Sequence, residues 1–341
     1  MTGFHPSPPM REVKVDSSIR KGVGHMDASH FSTVVSRDHL YKFLAMRSSL
    51  QEHAGNYKLY VLCADKAVYD VLKAIPFPNL VLVQLNEIED DALLKAKANR
   101  LFHAYCWTLK PVFLNYVLNT FPDAGYFAHL DADLFFYADP AAIFAEKPTA
   151  SLFLTHHRNS KAFEGFYNIT GIYNTGFVGC RRDDTSLAAI GEWAQKCIEH
   201  CPIKEEPEHK LFGDQRYVED WPQRYERVHT VVSIGANAAL WNITNYKVSR
   251  KGKQVCLNGV PLIFYHFSGL SIISRYEYNL CWYYHIEDQK IVSWIYHPYL
   301  ERLSAAIGGV QEHFPWFKWG FSNPKEVPHT HRYVLDAGGG V

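Results

Sequence analysis

A surplus of charge is what this sequence most plainly lacks: 35 basic residues stand against 35 acidic ones in 341. Nucleic-acid binders and polybasic membrane anchors need a basic excess or a basic run, so neither class is favoured. Nor does any stretch approach the ~18 consecutive apolar residues of a membrane-spanning helix. The opening segment MTGFHPSPPMREVKVDSS carries no apolar core of a secretory leader. The expectation is a soluble cytoplasmic protein without a nucleic-acid partner, with peripheral contact at the inner face of a membrane left open. Cysteine is scattered, seven residues without a cluster, which argues against a disulfide framework. Cys197 and Cys201 lie four apart, but no second Cys/His pair stands nearby at zinc spacing. Glycine and proline, 21 and 17 residues, are too ordinary for a fibrous or disordered chain. There is also no Gly-rich phosphate loop of the dinucleotide or P-loop type.

What the sequence does have is an alternation of strand-like and helix-like segments. FSTVVS (31–36) is a β-branched run, and after it Leu40, Phe43, Leu44 and Leu50 fall near helical spacing. YKLYVLCA (57–64) reads as a strand, followed by a helix carrying Val68, Val71, Leu72 and Ile75. PFPNLVLVQL brings a third strand. The stretch 86–125 reads as two helices, with Pro111 suited to a first turn. YFAHLDAD (126–133) is the fourth strand. Such alternation implies an α/β fold with a Rossmann-like, mostly parallel sheet flanked by helices. Ligands of such sheets bind beyond the carboxyl ends of the strands. TASLFLTHH (149–157) and GIYNTGFVGC (171–180) read as further strands, and SLAAIGEWAQKCIEHC (186–201) as an amphipathic helix. No repeat or linker divides the chain. One domain is therefore expected at 26–275, after a loose tail at 1–25. An aromatic C-terminal extension at 276–341 is expected to pack on it and to end loosely.

The segment HLDADLFFYADP, from His129 to Pro140, sets two carboxylates in the most apolar part of the chain. On an extended strand Phe127, His129, Asp131 and Asp133 share a face. If the strand ends near Leu130, Asp131 and Asp133 emerge at the carboxyl edge of the sheet. Two unpaired carboxylates there would repel each other and be costly to desolvate. A hard divalent cation relieves both problems. At ~5% aspartate, about one Asp-x-Asp triplet is expected by chance in a chain of this size, so position in the pattern carries the weight.

The segment HLDADLFFYADP resembles the DxD segment of nucleotide-sugar glycosyltransferases of the GT-A fold. CWTLKP (106–111), YNTGFVGC (173–180), GDQRY (213–217) and YHFSG (265–269) follow in the order found in retaining, family-8-like enzymes. The resemblance spans roughly residues 30–270. It implies a single GT-A domain with a smaller acceptor-side sheet, and a hexosyl unit moved from a UDP-sugar to a hydroxyl of a glycan or glycolipid, as in polysaccharide biosynthesis. It further implies Mn²⁺ or Mg²⁺ held by Asp131, Asp133 and His266, a donor set that suits manganese better than calcium. Ser36 is placed toward the uridine, and Lys110 and Arg100 toward the phosphates or sugar. Asn174 is placed near the sugar, with Gly176 allowing close backbone approach. Asp214 and Gln215 are placed at the reaction centre, Gln215 to stabilise an oxocarbenium-like carbon by its amide dipole. The family's usual Lys-Pro-Trp after the histidine is missing, since HFSGLSIISR follows here, and Arg275 is its candidate substitute.

Two other readings stay open at this level. One is a metal-dependent nucleotidyl or phosphoryl transferase, which also uses paired aspartates. The other is a sugar-nucleotide or carbohydrate binding protein with a degenerate site. GANAALWN (235–242), with Asn237 and Trp241, is a candidate acceptor wall, and HTHR (329–332) reads as part of an exposed tail.

Overall fold

The computed structural model describes residues 28–206, 208 and 210–336. The tail expected at 1–25 therefore lies outside the described residues. Three β-α steps and a fourth strand open the described residues: β1 (Ser29–Val35), α1 (Leu40–His53), β2 (Tyr57–Cys63), α2 (Lys66–Ala74), β3 (Leu80–Gln84), α3 (Asp91–Ala98), α4 (Phe102–Thr120) and β4 (Tyr126–Leu130). Aspartates start the helices where sequence chemistry favours it: Asp65 accepts the Val68 N–H, and Asp90 accepts the Leu93 N–H. Pro111 does not begin a helix but sits inside α4. Lacking an N–H, it leaves the Trp107 carbonyl without its intrahelical donor. α4 tolerates this because it is held by packing, with Leu109, Phe113, Leu114 and Val117 fully buried.

The chain continues through β5 (Leu134–Phe136), α5 (Ala141–Ala145), β6 (Leu152–His156), α6 (Tyr167–Thr170), β7 (Tyr173–Cys180), α7 (Asp184–Glu199), α8 (Trp221–Arg224) and β8 (Val228–Thr230). The large sheet has the order β3-β2-β1-β4-β7-β6-β8. β1 pairs in parallel with β2 and β4, β2 with β3, and β6 with β8, whereas β7 runs against both β4 and β6. The expected mostly parallel, helix-flanked sheet is what forms, with the reversed β7 set between β4 and β6.

β9 (Ala238–Ala239), β10 (Val248–Lys251), β11 (Gln254–Leu257), β12 (Val260–Pro261) and β13 (Phe264–His266) build smaller sheets, one of them in the order β5-β13-β9. The described residues close with β14 (Ser271–Ile272), β15 (Glu277–Asn279), α9 (Gln289–Ile291), α10 (His297–His313) and β16 (Arg332–Val334).

Alternation along β4 feeds two cores. Phe127 packs with α4 and α7 residues such as Phe113 and Trp193. Ala128 and Leu130 join a larger cluster running from Phe31 and Phe43 to Tyr299, Leu303 and Ile307 of α10. Tyr299 stacks on Phe267 at 3.9 Å, so the C-terminal region packs directly beneath the segment carrying His266. A buried aromatic of this kind contributes about 2–3 kcal/mol by burial. HTHR does not form an exposed tail: His331 is buried, accepting the Ile286 N–H and stacking on His285.

Candidate active site

Three segments meet at the carboxyl edge of the sheet through main-chain bonds. β4 ends at Leu130, and the chain turns through Asp131 to Asp133, where the Leu134 N–H donates to the Asp131 carbonyl at 3.2 Å. The Asp131 N–H donates to the Gly176 carbonyl at 2.8 Å, adding a rung to the β4–β7 ladder. β5 places Leu134 opposite His266 of β13, and the Phe267 N–H donates to the Asp133 carbonyl at 2.9 Å.

This framework brings an oxygen of Asp131, an oxygen of Asp133 and a ring nitrogen of His266 within 4.8 Å of one another. His266 Nε2 lies 3.1 Å from Asp133 Oδ1 and 3.9 Å from Asp131 Oδ2. Cations surround the pair. Lys110 Nζ is 2.8 Å from Asp131 and 3.8 Å from Asp214, and Lys42 Nζ is 3.8 Å from Asp133. Burial opposes ionisation of both aspartates, but their neighbours prevail. Lys110 and His129 hold Asp131 well below the usual carboxylate range, and His266 and Lys42 do the same for Asp133. Burial would also lower Lys110, yet Asp131 and Asp214 keep it above the ordinary lysine value. His129 is pushed down by burial, so its 3.1 Å contact with Asp131 Oδ1 is a hydrogen bond from a neutral ring. Asp214 behaves differently: burial raises it, only partly offset by Lys110 and by the 2.7 Å hydrogen bond from the Thr175 hydroxyl.

A cleft of about 300 Å³ opens over these groups. Ser36, Lys110, Asn174, Asp214 and Gln215 line it beside Asp131, Asp133 and His266. Gly176 adjoins it, and the reason for a glycine is steric. A Cβ there would stand 2.7 Å from His266 Cε1 and 2.9 Å from Asn174 Oδ1. Cys106 also faces the cleft, but burial pushes its thiol up to about 12, so it stays protonated and is no nucleophile.

Two expected contacts lie elsewhere. Arg100 points away from the cleft and donates to the Thr108 hydroxyl and the Cys197 and Ile198 carbonyls, closing the end of α7. The last carbonyls of a helix have no intrahelical donor, and Arg100 supplies one. Arg275 lies over the Tyr276 ring and against Gly308 of α10, so it does not fill the place of the missing Lys-Pro-Trp. Asn237 is fully buried, its amide donating to the His156 carbonyl, which makes it part of the scaffold and not an acceptor wall. Trp241 instead lies edge-on between His157 and His266, at 5.4 and 5.3 Å.

Sequence reasoning passed over Lys42, His129, Thr175 and His157. His129 was legible, since it shares the strand face of Asp131. The others reach the site only through tertiary pairing and carry no local signal.

No protein-family model matches the chain. It is 52% identical over 311 residues to YfnD of Bacillus subtilis (strain 168), described as an uncharacterized protein, covering 91% of this chain and 100% of that one. It is 33% identical over 302 residues to YfnF of the same organism, also described as uncharacterized, covering 86% and 98%. The chain belongs to the YfnD and YfnF family. In three dimensions this family member is similar to the galactosyltransferase LgtC solved with donor and acceptor sugar analogs. That match has a TM-score of 0.52 at 11% identity and covers 85% of this chain and 100% of that one. An active-site mutant of LgtC gives 0.50 at 11% identity over 82% and 95%. At such identity the likeness is one of fold, and the fold is the GT-A type.

Proposed function

We propose that this YfnD-family chain is a metal-dependent glycosyltransferase that moves a hexosyl unit from a UDP-sugar to a hydroxyl of a glycan or glycolipid, with retention of configuration. The observation that carries this reading is the Asp131–Asp133–His266 donor set at the carboxyl edge of a GT-A sheet, open to a cleft that also holds Asp214 and Gln215. The donors fit the ion. Two carboxylates and one imidazole suit Mn²⁺, or Mg²⁺ in its place, and His266 uses Nδ1 for Asn174 Oδ1 at 3.1 Å, which leaves Nε2 for a metal. Bound there, the cation supplies Lewis-acid neutralisation of a departing diphosphate.

The remaining work falls to the chain's own side chains. Lys110 fixes Asp131 and faces Asp214, keeping both carboxylates oriented as the donor enters. Ser36, at the end of β1, is placed to meet the nucleoside. Gln215 directs its amide dipole at the anomeric carbon, where positive charge develops. Asp214 orients sugar hydroxyls; its engagement by Thr175 and Lys110 makes it a poor nucleophile. The acceptor hydroxyl therefore forms its bond on the face from which the diphosphate leaves. The anomeric C–O bond to phosphate breaks, and the hydroxyl proton passes to the leaving phosphate oxygen.

The test is calorimetry with UDP and Mn²⁺ on the wild type and on Asp133→Ala, followed by a UDP-sugar panel scored for UDP release. Binding that needs Mn²⁺ and disappears in the variant, with release from at least one donor, is the expected result. Absence of Mn²⁺-dependent UDP binding would discredit the reading, and binding without turnover of any donor would favour a binding protein.

A further inference from the structure

The imidazole of His266 has two nitrogens, and only one can face the carboxylates with a lone pair. A chain of hydrogen bonds behind it settles which. His157 Nδ1 lies 3.1 Å from the Gly171 carbonyl, which can only accept, so that nitrogen carries the proton. The His157 ring is buried, and burial pushes it down to about 4, so it is neutral and Nε2 holds a lone pair. That lone pair lies 3.4 Å from Asn174 Nδ2 and receives its amide N–H. The Asn174 oxygen therefore faces the other way. There it meets the Gly176 N–H at 3.1 Å and His266 Nδ1 at 3.1 Å. The Gly176 N–H can only donate, so it demands the same amide orientation independently. His266 must then donate from Nδ1 and turn Nε2, 3.1 Å from Asp133, toward the carboxylates, where an arriving cation takes the place of the proton that Nε2 shares with Asp133.

We propose that Asn174 and His157 are positioning residues that set the tautomer of His266, so that the ring is ready as a metal ligand before an ion arrives. This rests on the metal-site reading above and extends it by two residues. It moves Asn174 from the sugar to the back of the imidazole. Trp241, edge-on to both histidine rings, braces the pair sterically. Gly176 leaves the space that the His266 ring and the Asn174 oxygen occupy.

Two measurements test it. The first uses the intact wild-type protein, with ¹⁵N-labelled imidazole resonances recorded without metal and with Mg²⁺. His157 should be neutral with its proton on Nδ1, and His266 should carry a proton on Nδ1 in both states. A neutral His266 protonated only on Nε2 would overturn the proposal without any variant. The second is Mn²⁺ affinity by electron paramagnetic resonance. Asn174→Leu, which removes the acceptor for Nδ1, should weaken binding about tenfold or more, as loss of an outer-shell partner does. His157→Phe should weaken it about three- to tenfold, less because Gly176 still holds one end of the amide. In the Asn174→Asp background, where the side chain has no wrong way round, His157→Phe should cost less than about twofold, because the two changes share one pathway. Folded variants whose Mn²⁺ affinity matches wild type would overturn the proposal. A wild type that binds no Mn²⁺ at this site would instead sink the metal reading beneath it.

Discussion

At the residue scale the carboxylates of the site divide by what their surroundings do to ionisation, which neighbours favour at two of them and burial opposes at the third. Asp131 and Asp133 are held low by nearby cations, whereas burial raises Asp214. A carboxyl raised in the folded state subtracts stability at pH values above its unfolded value, and that cost fades once the pH falls below it. Asp214→Asn removes the charge and keeps an oxygen for Thr175. Its melting temperature at pH 7 should match wild type or rise by about 2 °C, while turnover falls about a hundredfold or more. A large loss of thermal stability would mean that Asp214 is a structural ion-pair member. Gly176→Ala tests the packing behind His266. With a Cβ 2.7 Å from the ring, the imidazole must move, and Mn²⁺ affinity should drop about tenfold or more with the fold retained. The paired aspartates stood out in the sequence, and His129 was within reach of the same reasoning, since period-two alternation places it with Asp131. Arg100 and Arg275 were misplaced because a guanidinium is recruited by whichever carbonyls or rings fold next to it, and that is decided by α7 and α10.

At the scale of elements, the first three β-α steps and β4 were legible because the apolar spacing alternates between strand and helix periods along them. β5 was not, because three residues after a turn are too few for a pattern, and the reading ran β4 on through Asp133. The reversal of β7 was also hidden, since side-chain alternation does not encode strand direction. Pro111 misled for a local reason: the rule that places proline in a first turn is weaker than the burial of a 19-residue helix. α7 and α8 offer a pH test of one junction. Glu192 of α7 receives bonds from Arg224 and Tyr225, and the Arg224 hydrogen bonds lower its carboxyl from 4.5 to about 2. A depressed carboxyl contributes stability above its unfolded value and loses it as the pH falls through the folded one. Urea midpoints should therefore fall between pH 4.5 and 2 more steeply in wild type than in Glu192→Gln. Parallel curves would mean the pair contributes nothing.

At the scale of the whole molecule, one core joins the first β-α step to the last long helix. Leu303 of α10 is fully buried in the cluster that includes Phe43 of α1, and Tyr299 lies against Phe267 next to His266. Leu303→Ala should cost about 2–5 kcal/mol and lower a single unfolding transition. Two separate transitions would mean that the C-terminal region melts on its own. The main-chain bonds that anchor Asp131 to Gly176 and Phe267 to Asp133 also bear on time as well as affinity. If Asp131, Asp133 and His266 hold the proposed ion, their anchorage at strand ends means that no segment has to fold around it. Capture should then follow simple second-order kinetics, its rate rising linearly with ion concentration and limited by the exchange of water from the cation, with no plateau from a preceding rearrangement of the protein.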